Sequence, residues 1–585
     1  MLKHKLNFIF IYIIFIYAFI LSGKCAFAQL APIPITPSTD TDAAAITSPR
    51  SDAVLDEQIN ESIKNEEQPK DDDLTEDPNV KPVSNITPEK QIEGKVESGG
   101  ESAIFIKHIL VEGSYLLTDE DITSITSEYE NKELTLDDLK EVVGKINNTY
   151  YDYGVLTALA YLPPQEVQNN TVIIKVVEGK IGRLQVSGNK HTRAGYIKSA
   201  IHQKDGDIIY LPEMQKDILA FNRKNDVKLK ARVRKGEEFG TSDIILELQE
   251  SNPYHLGFSF DNTGRDTVGV FKGGVNVRHD SVLGFRDKLT ASYGRSRSTN
   301  SVSTSYSIPV GHSGLRVGGA YGYGGIGITK GILEPLNITG KSSTYSAFAS
   351  MPIVDTRRFS LSTSASFNAK KINTYLDGRS FSEVLGIDPT QIRTLVVALN
   401  AVERDKYGQW IHNSDFHTGL DVLGGKEKFF KYTGSLIRVQ RISKRSLLIL
   451  KAAAQFADDP LPSAEQYGIG GAYSIRGYSE GILSGDNGYL FGGELRVPLF
   501  FLPEKVWKLK IKDNIQGAFF AETAGAFPEG YVRSSQTLTS VGMGIRASLT
   551  KYLTGRVDWG FGLTANKEID QPTARLHFGL ESSPF

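Results

Sequence analysis

The sequence predicts a mixed architecture: two small α+β modules followed by a 16-stranded antiparallel transmembrane β-barrel. Three observations carry this expectation. An export leader opens the chain, no later apolar run is long enough to cross a membrane as a helix, and residues 252–585 alternate apolar and polar side chains in short runs. With 25 Tyr, 29 Phe and 56 Gly among 585 residues, the composition suits a closed sheet with lipid outside and water inside. The formal net charge of -2 gives no global argument for nucleic acid, so signals for partners must be local.

Residues 1–28 read as a secretory signal peptide. Lys3, His4 and Lys5 precede 14 apolar or aromatic residues at positions 8–21, and Ala26-Phe27-Ala28 supplies a small-residue cleavage site. Lys24 occupies the position where a lipoprotein signal needs a small residue, which argues against lipidation at Cys25. Cleavage after Ala28 would leave a mature chain without cysteine, excluding disulfide frameworks, thiolate metal sites and thiol nucleophiles. Residues 29–100 are rich in Pro, Thr, Asp and Glu and read as a disordered linker. Within it, residues 51–66 lack Pro and Gly and place Val54, Ile59 and Ile63 at helical intervals; this is either an exposed acidic helix or a helix with a docking role.

Residues 101–180 and 181–251 carry one β-α-α-β-β layout twice. In the first copy a strand at 104–111 is followed by a helix that Thr135 can cap, with Leu139, Val142, Val143, Ile146 and Tyr150 on one face, and by strands at 156–162 and 171–177. The second copy has a strand at 183–187, helices at 192–201 and 212–223, and strands at 227–234 and 242–248. Val227, Leu229, Ala231 and Val233 make one face of the 227–234 strand; Lys228, Lys230, Arg232 and Arg234 make the other. Basic residues on a strand either guard an exposed edge against pairing or form a face that holds an extended polypeptide added as a new strand.

From residue 253 onward the pattern changes to membrane strands. Tyr254, Leu256, Phe258 and Phe260 alternate with His255, Gly257, Ser259 and Asp261, and Val557, Trp559, Phe561 and Leu563 alternate with Arg556, Asp558, Gly560 and Gly562. Strand centres fall near residues 257, 272, 289, 305, 318, 347, 364, 397, 413, 434, 450, 493, 519, 543, 557 and 576. That even count gives about 21 residues per strand and connection and a lumen wide enough for water, with fourteen or eighteen strands also within the error of the boundaries. The last strand places Leu576, Phe578 and Leu580 on one face, and the chain closes on Pro584 and Phe585.

Several motifs recur in a fixed order: Leu162-Pro163-Pro164-Gln165, Val177-Glu178-Gly179, Gly240-Thr241-Ser242-Asp243, Asp261-Asn262-Thr263-Gly264, and Ile475-Arg476-Gly477-Tyr478 in a glycine-rich loop. Together they resemble the two-partner secretion transporters (TpsB type, of the haemolysin secretion/activation ShlB/FhaC/HecB family), relatives of the outer-membrane assembly factors; the small modules resemble POTRA domains. The resemblance implies two periplasmic POTRA domains, an N-terminal helix that can occupy the pore, and a loop at 472–488, between the eleventh and twelfth strands, folded into the lumen. It makes Arg476, Gly477 and Tyr478 the loop's anchor, with the arginine paired to the acid of an F-x-D-x-G motif on the wall. Here that motif is Phe519-Phe520-Ala521-Glu522-Thr523-Ala524-Gly525, with glutamate for aspartate and glycine one position late. Phe520 and Glu522 still share a face, so Arg476 and Glu522 can meet if the strand keeps register. A bidentate carboxylate could offset the freedom that a loop arginine loses, provided the pair is sheltered from water.

The resemblance further implies that an unfolded secreted partner, of adhesin or cytolysin type, is captured in the periplasm and passed through the pore. The other expected partners are outer-membrane lipid and, during biogenesis, the barrel-assembly machinery; the protein is expected to be a monomer with no cofactor, no nucleic acid and no enzymatic activity. Alternatives are a factor that inserts other barrels and a passive porin-like channel. Gly322, Gly324 and Gly327 match a nucleotide fingerprint but sit in an alternating strand with no following helix, and the ten histidines show no metal-ligand spacing.

Overall fold

The computed structural model describes residues 103–583 except 156, 331–333, 500–513, 528–535, 551 and 565–573. The expected leader, the linker with its 51–66 helix, and the terminal Pro584 and Phe585 lie outside the described residues.

Two small modules come first, and their sheets share one topology. In the first, Thr171–Val177 is central, with His108–Glu112 parallel on one side and Leu159–Tyr161 antiparallel on the other. In the second, Thr241–Gln249 is central, between parallel Lys180–Ser187 and antiparallel Lys228–Lys235. Helices Leu136–Asp152 and Leu211–Lys224 close each core by burying Val142, Ile146 and Tyr150, and Met214 and Phe221, against the sheets.

The first module differs from expectation in several places, among them an added strand, Lys132–Leu134, that pairs with Ile104–Ile106. The strand expected at 104–111 is two strands, Ile104–Ile106 and His108–Glu112, because the Lys107 and His108 N–H groups both turn to the Asn170 carbonyl (2.7 and 3.3 Å). The other helix of the expected layout, which the sequence reading left without a position, is Asp119–Thr126; it opens on a capping box between Thr118 and Asp121, the same device that Thr135 and Asp138 provide for the next helix.

Gln165 extends the first sheet by bonding both the N–H and C=O of Ile173 (2.9 and 2.7 Å). Glu178 accepts from the N–H groups of Tyr115 and Leu116 and from the Tyr150 hydroxyl. The conspicuous residues of the first two motifs thus complete hydrogen bonding that the backbone leaves open.

Sixteen strands then close into an antiparallel barrel: β1 Tyr254–Asp261, β2 Lys272–His279, β3 Lys288–Arg295, β4 Thr299–Pro309, β5 Arg316–Gly327, β6 Ile338–Asp355, β7 Phe359–Leu376, β8 Thr390–Arg404, β9 Gly408–Gly419, β10 Phe430–Arg441, β11 Leu447–Ala457, β12 Asn487–Pro498, β13 Ile515–Phe527, β14 Gln536–Thr550, β15 Leu553–Gly562 and β16 Ala574–Ser582. Every expected strand centre falls inside one of them. Outward-facing Phe258, Phe260, Phe519, Met543, Trp559 and Leu576 are exposed, as a lipid-facing surface requires.

Closure between β1 and β16 rests on four residue pairs, Asp261 with Gly579 through Phe258 with Ser582. Asn262 continues it beyond the strand: its backbone N–H donates to the Phe578 carbonyl (3.3 Å), and its side-chain amide donates to the Leu576 carbonyl and accepts from the Phe578 N–H (both 2.8 Å).

The second module sits on the turn between β2 and β3 at the near end of the barrel. Arg286, 1% exposed, pairs with Asp226; the Arg193 N–H donates to the Gly284 carbonyl (2.9 Å), and the Arg193 guanidinium lies over the Phe285 ring (4.6 Å). Just ahead of β1, Glu250 accepts from the N–H groups of Lys190 and His191 and from the Thr192 hydroxyl (3.0, 2.7 and 2.5 Å). Burial alone would raise its pKa; the three hydrogen bonds outweigh burial and hold the carboxyl below the ordinary glutamate value.

A group depressed in this way contributes stability that is complete above its unfolded pKa of about 4.3 and is lost as pH falls through the folded value. Acidification through that range is therefore expected to lower the protection factor of the His191 amide, its exchange measured against that of an unstructured amide at the same pH. Glu250→Gln should flatten the dependence, and equal pH profiles for the two proteins would show that the carboxylate does not hold this turn.

Candidate functional site

The connection from β11 to β12, residues 458–486, enters the lumen. It is longer than the expected 472–488 loop at its first end and shorter at its second, since Asn487 and Gly488 already belong to β12. Glycine density marks the second half, whereas the first half holds the turn Ser463–Glu465 and the strand Tyr467–Ile469, which pairs back with Leu483–Gly485.

At the tip of this hairpin Arg476 meets the wall. Its Nη2 and Nε both reach Glu522 Oε1 (2.6 and 3.0 Å), and its backbone N–H reaches Glu522 Oε2 (2.9 Å). Nη1 donates to Glu494 Oε2 at 2.6 Å and to Asp558 Oδ1 at 3.3 Å, and the guanidinium lies over the Phe520 ring, 3.5 Å from its centroid. Arg476 and the three acids are each less than a tenth exposed. This is the shelter that the pairing needs if it is to fix a loop.

The wall residues are tied to one another as well. Arg546 bridges Glu494 and Asp558 (both 2.8 Å), Arg496 holds the other oxygen of Glu494 (2.7 Å), and Lys451 approaches Glu522 (3.4 Å) while donating to the Tyr473 carbonyl (3.1 Å).

Gly477 has φ +109°, a conformation open mainly to glycine, and its backbone lies against β15. A Cβ on Gly560 would sit 2.5 Å from the Arg476 carbonyl carbon, and one on Gly562 would sit 2.6 Å from the Tyr478 ring. The glycines on the lumen side of β15 therefore make room for the loop. The Tyr478 hydroxyl lies within hydrogen-bond distance of the Thr539 and Thr564 carbonyls (3.2 Å each) and accepts from the Thr564 N–H (2.9 Å).

The ladder pairs Glu494 with Phe520 and Glu522 with Ser540, so the altered wall motif holds a register that turns Phe520 and Glu522 inward. Sequence reasoning singled out Arg476, Gly477, Tyr478, Phe520 and Glu522, and the structure brings all five together. It missed Glu494, Asp558, Arg546 and Lys451. Their signal was charge at lumen-facing positions of membrane strands, where an ionisable residue needs a purpose.

The loop also contributes to a dry cluster inside the barrel. Tyr467, Ile469, Ile475 and Tyr478 are buried in one hydrophobic cluster with the wall residues Ile437, Val439, Ile449 and Leu490.

Lys228, Lys230, Arg232 and Arg234 stand elsewhere, all exposed on the outermost strand of the second module's sheet. Arg232 pairs with Glu247 at 2.5 Å and Arg234 with Asp243 at 3.4 Å, both across to the central strand.

Residues 240–546 match the family model "Haemolysin secretion/activation protein ShlB/FhaC/HecB", which is more than half of the chain. The chain belongs to that family. Residues 104–179 match a POTRA domain of ShlB type. Among relatives, the heme/hemopexin transporter protein HuxB of Haemophilus influenzae is 24% identical over 465 residues, covering 74% of this chain and 78% of HuxB. The outer membrane transporter CdiB of Dickeya dadantii is 21% identical over 456 residues, with the same coverage. The solved structure of CdiB from Escherichia coli superposes with a TM-score of 0.58 at 20% identity, covering 94% of this chain and all of the other, and so shows the shared fold.

As a member of the ShlB/FhaC/HecB family the protein is an outer-membrane transporter, with its POTRA region on the periplasmic side and the β11–β12 connection entering the lumen from the cell surface.

Two measurements probe the anchor. In a double-mutant cycle of Arg476→Met with Glu522→Gln, unfolding of the purified barrel should reveal coupling of about 1–3 kcal/mol, and additive losses would mean that the two residues act independently. Gly560→Ala alters no charge, yet its methyl group occupies the space of the Arg476 backbone. It should raise single-channel conductance in planar bilayers by displacing the tip, and a native conductance would show that the loop is not held against β15.

Proposed function

We propose that this transporter secretes a partner protein across the outer membrane, receiving it as an extended chain on the free edge of the second module and releasing it through the lumen when the loop withdraws. The observation that supports this reading best is the edge itself.

In both modules an asparagine from a core helix bonds the N–H and C=O of one residue on the edge strand: Asn147 serves Ala160, and Asn222 serves Leu229. The first edge strand has three residues and is satisfied there, whereas the second has eight and runs on past Leu229. The N–H and C=O of Leu229 point away from the central strand, so those of Ala231 and Val233, two and four residues on, point the same way.

Among the described residues no strand pairs with that edge. The opposite edge of the same sheet is covered, with the Ile181 N–H on the Asp207 carbonyl and the Leu184 N–H on Asp205. Glu247 and Asp243 neutralise part of the basic face, and the charge that remains can attract an acidic or neutral incoming segment while discouraging other copies of the same edge.

Proline at position 231 removes a donor from the edge without changing charge, and neutralising Lys228, Lys230 and Arg232 removes charge without changing the donors. If the edge receives the partner, Ala231→Pro should abolish most partner secretion while the barrel still assembles, and the charge variant should weaken it less and in a salt-dependent way. Full secretion by a normally abundant Ala231→Pro protein would leave the basic strand as an edge guard only.

A further inference from the structure

The lumen loop is held at two places by ion clusters of opposite polarity. At its base Glu465 is buried between two wall lysines, with Oε1 2.8 Å from Lys370 Nζ on β7 and Oε2 2.8 Å from Lys431 Nζ on β10. Lys431 is fully buried and also donates to the Glu465 carbonyl (2.9 Å). Gln455 ties both legs of the loop together, donating to the carbonyls of Glu465 and Asp486 (3.0 Å each). The tip reverses the signs: the loop supplies the cation Arg476, and the wall strands β12, β13 and β15 supply the acids.

The consequences of release differ between the two ends. When Arg476 leaves, the three acids Glu494, Glu522 and Asp558 remain beside three wall cations, Lys451, Arg496 and Arg546, that already contact them. The wall there stays neutral and paired. If Glu465 leaves, Lys370 and Lys431 lose the carboxylate that lies between them, and Asp415 is the acid that still acts on Lys431. Leaving two neighbouring wall ammonium groups without the carboxylate they share is the costlier event. The polarity also prevents misdocking, since a reversed loop would set Glu465 against acids and Arg476 against lysines.

From this asymmetry we propose that Glu465 is the pivot of the loop: the base stays fixed on Lys370 and Lys431 while the Arg476 tip detaches and returns. Glu465 is then a positioning residue, and this deepens the transport mechanism proposed above by naming the part of the loop that does not move.

Buried Ala464 and Ser474 report on base and tip respectively when replaced singly by cysteine in the full-length transporter and probed on intact cells with a membrane-impermeant maleimide. Arg476→Met should speed labelling at position 474 by about tenfold and leave position 464 unchanged, whereas Glu465→Gln should speed both. The proposal fails if Arg476→Met frees position 464 as much as 474, or if Glu465→Gln leaves 464 protected.

Should Glu465→Gln not assemble, the exchange of Lys431→Glu with Glu465→Lys serves instead. Slower labelling at 464 than in Glu465→Lys alone supports the pivot, and equal labelling overturns it. The readout involves no partner, so failure of the edge-strand reading would leave this result interpretable, and the reverse holds as well.

Discussion

A single guanidinium, bonded to three buried carboxylates, organises this molecule. Carrying Arg476 out of water is costly, and Coulomb attraction offsets that cost only where geometry is good and the remaining donors are satisfied. Glu522, Glu494 and Asp558 come from β13, β12 and β15, so the arrangement exists only once these strands have paired in register. Loop position and wall register therefore depend on each other. The glycines of β15 belong to the same constraint, because charge complementarity achieves nothing if the two backbones cannot approach.

The modules solve a different problem with equally local means. A three-stranded sheet has two edges, and each edge must be paired, covered or defended. Here asparagines, glutamates and loop carbonyls cover most of the exposed donors and acceptors, and the same asparagine device appears in both copies. What distinguishes the second copy is strand length. Five additional residues continue the edge past the capped position and carry the basic side chains outward.

Much of this was legible in the sequence because alternation along a membrane strand is imposed by two solvents at once. All sixteen strand positions follow from it, as do the inward directions of Phe520 and Glu522. The loop's glycine-rich half was also visible, since Gly477 must adopt a conformation that a side chain resists. Its first half was not. Glu465 and its lysines are separated by 34 and 95 residues, and no periodicity announces an ion cluster assembled from β7, β10 and a turn. The Asp119–Thr126 helix was expected but not located, although Thr118 and Asp121 carry the same spacing as Thr135 and Asp138, because its apolar face is short.

The dry cluster formed by Tyr467, Ile469 and Ile475 against Ile437, Val439 and Ile449 has a consequence for the cell envelope. A sixteen-stranded wall encloses a passage wide enough for many small solutes. Loop side chains packed against part of this wall narrow the passage by the volume they occupy, so the transporter at rest is a smaller opening in the outer membrane than a bare barrel of the same strand number.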